Sequence, residues 1–181
     1  TNAQLTLPAI GSGPFPGVLL IPGSGAVDMN ETLSKDAKPF WQIAQYLSER
    51  GFAVLRYDKR GVGSTSNTIL DTNVWGNTTA NDLIQDSKKA LNVLIQQPEV
   101  DPKRISIIGH SEGTLYAPRL AIDNSTKVKN IILMGAGAQN ARDLVHYQTV
   151  SIPLEYAAQA LDKNHTGLIS IQQITKDPVI T

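Results

Sequence analysis

Four short, continuous apolar runs punctuate the chain: Val18-Leu19-Leu20-Ile21, Phe52-Ala53-Val54-Leu55, Ile105-Ser106-Ile107-Ile108 and Ile131-Ile132-Leu133-Met134. The first is closed off by Pro16 and Pro22, and each has the length and density of a strand covered on both faces. Between the runs, apolar residues recur at helical spacing. Residues 40–50 place Trp41, Ala44 and Leu47 on neighbouring turns. Residues 79–97 do so with Leu83, Ile84, Ala90, Leu91, Leu94 and Ile95 and stop at Pro98, and residues 114–122 form a third such segment. This alternation predicts an α/β fold with a mostly parallel sheet, right-handed crossovers and helices on both faces. After about residue 138 the rhythm changes: residues 139–181 hold helical stretches and a Gly-containing polar loop but no further long apolar strand. The expected organisation is therefore a core over 1–138, followed from 139 by the start of a helical cap that is cut off at Thr181.

Between the third run and the third helical segment stands Gly109-His110-Ser111-Glu112-Gly113, a G-x-S-x-G pattern. Strand before and helix after are the context of a nucleophile elbow, in which a strained turn lifts a serine hydroxyl clear of the sheet edge. The flanking glycines suit a turn where any side chain would collide with the neighbouring elements. Ser111 is thus the candidate nucleophile; a plain Gly-Ser connection is the bland alternative. His110, adjacent in a sharp turn, diverges from the serine and is expected to pack beside the site, since an elbow's base arrives from a separate loop. An oxyanion hole needs the N–H after the nucleophile and a second from a loop following an early strand. Glu112 supplies the first, and the Gly-rich loop "IPGSGAVD" supplies the second from Ser24 or Gly25. That loop has neither the Lys-Ser/Thr ending of a P-loop nor the spacing of a dinucleotide fingerprint.

Composition narrows the picture. The 181 residues are 41% hydrophobic and 18% charged, enough apolar material for one globular core. Sixteen Lys plus Arg balance sixteen Asp plus Glu, which leaves no global field to attract nucleic acid. With zero Cys, disulfides, thiolate metal sites and a cysteine nucleophile are excluded. No apolar run reaches the ~20 residues of a membrane span. "TNAQLTLPAI" has neither the basic start nor the apolar middle of a secretion signal, so secreted, periplasmic and cytoplasmic locations all stay open.

Three stretches, "LTLPAIGSGPFPGVLLIPGSGAVDMNE", "GFAVLRYDKRGVGST" and "GHSEG", in that order, resemble the α/β-hydrolase superfamily over residues 5 to 137, and within it bacterial and archaeal serine esterases and peptidase-like hydrolases. The resemblance implies that Tyr57-Asp58-Lys59-Arg60-Gly61-Val62-Gly63-Ser64 follows the family's fourth strand, with Asp58 and Arg60 as a loop-holding pair near the site; Thr65 before a second serine departs from the pattern. It also implies a triad order of Ser, then Asp or Glu, then His, on loops after later strands. Downstream of Ser111 the histidines are His146, in a helical segment, and His165, in a polar loop. Asp143 and His146 are in the right order but lie three apart on one predicted helix, so the acid and base are expected beyond Thr181.

Residues 162–173, "DKNHTGLISIQQ", resemble an EF-hand loop: Asp162, Asn164, Thr166, Leu168 and Ser170 fall at ligand positions, Gly167 at the sixth and Ile169 at the eighth. Gln173 stands where a bidentate glutamate belongs, so calcium binding, if any, is weak. The expected function is serine hydrolysis of a small-molecule ester through an acyl-enzyme, by a chain that needs the rest of its own polypeptide for acid and base and requires no cofactor. A non-catalytic hydrolase-like binding domain and a calcium-responsive interaction module are the competing readings.

Overall fold

The computed structural model describes residues 2–63 and 68–179; Ser64 and Thr65, where the family pattern is broken, lie outside the described residues. Two compact units are present, Thr1–Ala136 and Gly137–Thr181.

The first unit is built on a five-stranded sheet. Its strands are β1 (Ala3–Thr6), β2 (Phe15–Ile21), β3 (Ala53–Tyr57), β4 (Val100–His110) and β5 (Val128–Met134), arranged in the order β1-β3-β2-β4-β5. The pairs β2 with β3, β2 with β4 and β4 with β5 are parallel. All four predicted strands are present. The sequence reading missed β1, which pairs antiparallel with β3 in the register Ala3↔Tyr57 to Thr6↔Val54. Its four residues, AQLT, carry one large apolar side chain, too short a signal to stand out from a loop.

Alternation along the strands divides the core into two layers. Leu19, Ile21, Leu55, Ile105 and Ile107 pack against α3 (Ala80–Ile95) and α4 (Gly113–Asp123), whose Leu91, Leu94, Ala117 and Leu120 are buried. Val18, Leu20, Val54 and Ile108 face the other way, onto Phe40 and Ala44 of α1 (Pro39–Ser48). Helices therefore cover both faces, as expected for parallel strands with apolar residues on both sides. A capping box starts α3: the Thr79 hydroxyl accepts the Asp82 N–H, and the Asp82 carboxylate accepts the Thr79 N–H. A short helix that the sequence reading did not mark, α2 (Thr72–Gly76), is capped by Asp71, which accepts from Asn73 N and Val74 N.

β5 differs from its neighbours. It is the last strand of the sheet, and Ile131, Ile132 and Leu133 are about two-fifths to one-half exposed. The second unit, by itself, runs through α5 (Ala141–His146), α6 (Ile152–Tyr156) and α7 (Ile171–Thr175), with wider π-type turns at Tyr147–Ser151 and Ala157–Leu161. Among the described residues no helix is long and apolar enough to cross a membrane.

Leu94 is fully buried between α3 and the sheet. Leu94→Ala is expected to lower unfolding stability by ~2–5 kcal/mol, and Thr79→Ala, which removes only the cap, by about 1 kcal/mol; urea unfolding monitored by circular dichroism separates the two.

Candidate active site

β4 runs to His110 and α4 begins at Gly113, so the direction of the chain reverses within Ser111 and Glu112. Ser111 sits at φ +49°, in the left-handed region that a residue with a β-carbon enters only at a cost. Two bonds hold it there: its N–H donates to the Met134 carbonyl at the end of β5 (2.8 Å), and its carbonyl accepts the Thr114 N–H (3.0 Å). The Thr114 hydroxyl donates to the same carbonyl at 2.6 Å. Both glycines of the motif are sterically required. A β-carbon on Gly109 would overlap the Gly113 carbonyl, and one on Gly113 would overlap the Ile21 carbonyl at the end of β2. Strand, turn, helix and the neighbouring strand end thus meet at backbone contact distance.

The loop after β2 lies against this turn. A β-carbon on Gly23 would stand 3.2 Å from the Ser111 β-carbon and 3.1 Å from His110 Nδ1. Glu31 fixes that approach. Its carboxylate, only 4% exposed, accepts the Gly23 N–H at 2.6 Å and lies 2.8 Å from His110 Nδ1. Sequence reading missed this role, because a single acid in "DMNE" has no periodicity or motif to mark it. The same loop is folded by Asp28, whose side chain accepts from the Asn30 and Thr32 N–H groups and the Thr32 hydroxyl. His110 is placed as expected, at the side of the turn: it is joined to Glu31 and meets the Phe40 ring edge-on.

The N–H groups of Ser24 and Glu112 donate to no carbonyl or side chain among the described residues. The Glu112 side chain, by contrast, is fully engaged. It accepts from Lys59 Nζ at 2.7 Å and from the Tyr116 hydroxyl at 2.8 Å, and Lys59 is 3% exposed. Burial, with the Glu112 acceptor second, pushes the Tyr116 hydroxyl well above its ordinary pKa. An ion pair so buried contributes little net stability but is costly to break on one side, so it fixes the residue after Ser111 in place.

Asp58 and Arg60 do not form the pair expected from the family resemblance. Arg60 makes a two-pronged contact with Asp86 of α3, at 2.6 and 2.7 Å, and reaches Asp82 at 3.1 Å. Asp58 accepts the Met29 N–H at 2.8 Å and the Asn2 amide at 3.2 Å. The physical reason is direction: Asp58 faces the loop after β2, while Arg60, two residues on, reaches the N-terminal half of α3. Each holds a different segment.

Asp143 and His146 both lie on α5, as the sequence predicts, and the Asp143 side chain is taken up by the Asn140 amide at 2.7 Å in the helix cap. In the 162–173 loop, Asp162 accepts from Thr166 N (2.9 Å), Gly167 N (2.6 Å) and the Thr166 hydroxyl (3.1 Å). These donors hold its carboxyl below the usual range, the Thr166 N–H contributing most. Ser170 and Gln173 form the capping box of α7, Gln173 Nε2 also donates to the Leu161 carbonyl, and the Leu168 carbonyl accepts the Thr166 hydroxyl. Asn164 lines a cavity of about 630 Å³ beside them. The groups expected at a calcium site are thus bonded largely to one another, and the described residues contain no cluster of three or more His, Cys, Asp or Glu.

Among known families, the serine aminopeptidase S33 family matches residues 32–178. The chain belongs to this family. It is an esterase-like member of the α/β-hydrolase superfamily. Esterase EstD of Thermotoga maritima is 34% identical over 146 residues, which are 80% of this chain and 32% of EstD. Esterase FrsA of Yersinia pestis is 29% identical over 131 residues, 72% of this chain and 28% of FrsA. The chain therefore spans about a third of the length of these relatives. A cold-adapted esterase from an Arctic intertidal metagenomic library has the same fold, with a TM-score of 0.54 at 23% identity over 80% of this chain and 59% of that structure.

Two outcomes are expected from this geometry. Gly113→Ala should cost about 1–3 kcal/mol or more from overpacking against backbone, read as a lower urea midpoint, whereas Gly76→Ala, where a β-carbon meets open space, should not. Because the Asp162 carboxyl is held down in the folded loop, its contribution is present above the ordinary carboxylate pKa and lost as pH falls through the lowered value. Amide exchange at Thr166 and Gly167, normalised for intrinsic rates, should lose protection in that acid window, and Asp162→Ala should remove it at neutral pH.

Proposed function

We propose that this α/β hydrolase is a serine esterase whose acyl-accepting half lies in the first unit. Ser111 Oγ attacks the ester carbonyl while a general base takes its proton. The negative charge that develops on the carbonyl oxygen is held by the N–H groups of Glu112 and Ser24. Collapse breaks the bond to the alcohol, which leaves with the proton from the base, and water then enters by the same route to release the acid and restore Ser111. The observation that carries this reading is the left-handed Ser111 turn, held at φ +49° beside two unengaged backbone N–H groups. A strained residue that its surroundings over-determine is the kind kept for function.

The acid and base are assigned to residues outside those described. Asp143 is occupied in the α5 cap and stands one helical turn from His146, an unsuitable geometry for an acid orienting a base. Ile131, Ile132 and Leu133 are half-exposed on both faces of the last strand of the sheet, which supports further elements packing over and beside β5, since a finished parallel sheet is covered on both faces. Residues 1–181 alone are then expected to be inactive. The names of EstD and FrsA favour an ester over an amide, and the expected substrate is a short or medium acyl ester. The loop at 162–173 takes no part in this chemistry.

In the full-length protein, Ser111→Ala should lower kcat/KM for p-nitrophenyl butyrate by about 10⁴-fold or more with little change in thermal stability. Retained turnover would remove Ser111 as the nucleophile, and absence of turnover in the unsubstituted full-length protein would move the reading to a non-catalytic hydrolase-like binding domain.

A further inference from the structure

A second cavity, about 460 Å³, opens on the α1 side of β3 and is walled by Gln4 of β1, Arg56 of β3, the 30–38 loop and the start of α1. Among the described residues Arg56 is the largest side chain below 2% exposure, and burying a guanidinium calls for a compensating anion or a full set of acceptors. It has neither in full. One terminal nitrogen donates to the Asn30 side-chain oxygen and the other to Gln4 Oε1 at 2.7 Å, both neutral amides. The Nε–H has no partner among the described residues. Of the five donors that a guanidinium carries, two are therefore spent on protein. Burial lowers its pKa, and the nearby Asp28 charge opposes that only in part.

The rim adds positive charge. Lys35 and Lys38 both line the cavity and neither has a salt-bridge partner among the described residues; Asp36 is the acid that shares the wall with them. α1 starts at this rim with no acidic residue in its first turn; Pro39 carries no N–H and the Phe40 N–H donates to the Asn30 carbonyl at 3.0 Å, so the helix adds its dipole to the lysines rather than free donors. Trp41, 46% exposed, completes the wall with a flat aromatic face.

We propose that this cavity binds a small oxyanion, a phosphate or carboxylate group, with the Arg56 guanidinium at its floor and the Lys35 and Lys38 ammoniums at its mouth. The chemistry matches: below, a weakly hydrated guanidinium with three donors not spent on protein, and above, two point charges. Trp41 places an aromatic surface where the organic part of such a ligand would lie. The site is separate from Ser111, and the assignment stands whether or not that serine is a nucleophile. The two are nevertheless neighbours along the chain, because Asn30 accepts from Arg56 and the next residue, Glu31, holds Gly23 and His110.

Trp41 provides a local signal. Residues 1–181 hold two tryptophans, so in the full-length protein the Trp41 signal is read as the difference between the Trp75→Phe protein and the same protein with Trp41→Phe added. In the full-length Trp75→Phe protein, sodium phosphate and sodium benzoate are titrated separately at ionic strength held constant with sodium chloride. A saturable change in Trp41 emission with at least one of them is expected, weakened about tenfold or more when Lys35→Ala and Lys38→Ala are added, as loss of charge-assisted contacts requires. Response to phosphate alone assigns the phosphate class, and response to benzoate alone the carboxylate class. No saturable change with either anion, or the same affinity without the two lysines, overturns the proposal.

Discussion

At the junction of β2, β4 and α4 the Ile21 carbonyl, the Gly113 backbone and Gly109 come so close that a β-carbon on either glycine would overlap a neighbouring carbonyl. The candidate site depends on this crossing. It forces the chain to turn between strand and helix in two residues, and the turn puts Ser111 into a left-handed conformation on top of the sheet. Parallel strands set the location, because their carboxyl ends share one edge of the sheet. The end of β2 with its Gly-rich loop, the end of β4 with Ser111 and the end of β5 with Met134 all reach it. The strain is borne by two fully covered layers of core, the larger against α3 and α4 and the smaller against α1.

Around the crossing, buried charges act as fasteners. Glu31 ties the loop after β2 to His110 and sets Gly23 against the serine; Lys59 ties the segment after β3 to Glu112. Asp58 and Arg60 fasten two further segments, the loop at Met29 and helix α3. Such interactions contribute more to position than to stability, since desolvation offsets much of their attraction. Their common result is that the loop after β2 and the residue after Ser111 are each held by a side chain from another segment.

How much of this could be read from sequence follows from the physics of each signal. Strands buried on both faces write themselves as unbroken apolar runs, and helices on a sheet as 3.6-residue stripes, so β2 to β5, α1, α3 and α4 were legible. β1 was not, because an edge strand of four residues needs only a pairing partner and no apolar pattern. The turn at Ser111 was legible because it demands glycines at fixed offsets. Glu31 and Lys59 were hidden because a buried charge is defined by its partners across the fold, and Glu112 lies 53 residues from Lys59. The Asp58–Arg60 pairing failed for the same reason: proximity in sequence after a strand says little about which element each side chain meets. In the 162–173 loop the EF-hand spacing describes a real turn around Asp162, yet spacing does not reveal that Ser170 and Gln173 cap a helix.

In the proposed function the Ser111 turn presents an activated hydroxyl. Intact mass of the full-length protein after treatment with a fluorophosphonate, followed by peptide mapping, tests it most directly. One adduct per chain, on the peptide containing Ser111 and absent from Ser111→Ala, is the predicted result. An unmodified protein, or an adduct on any other residue, would contradict it.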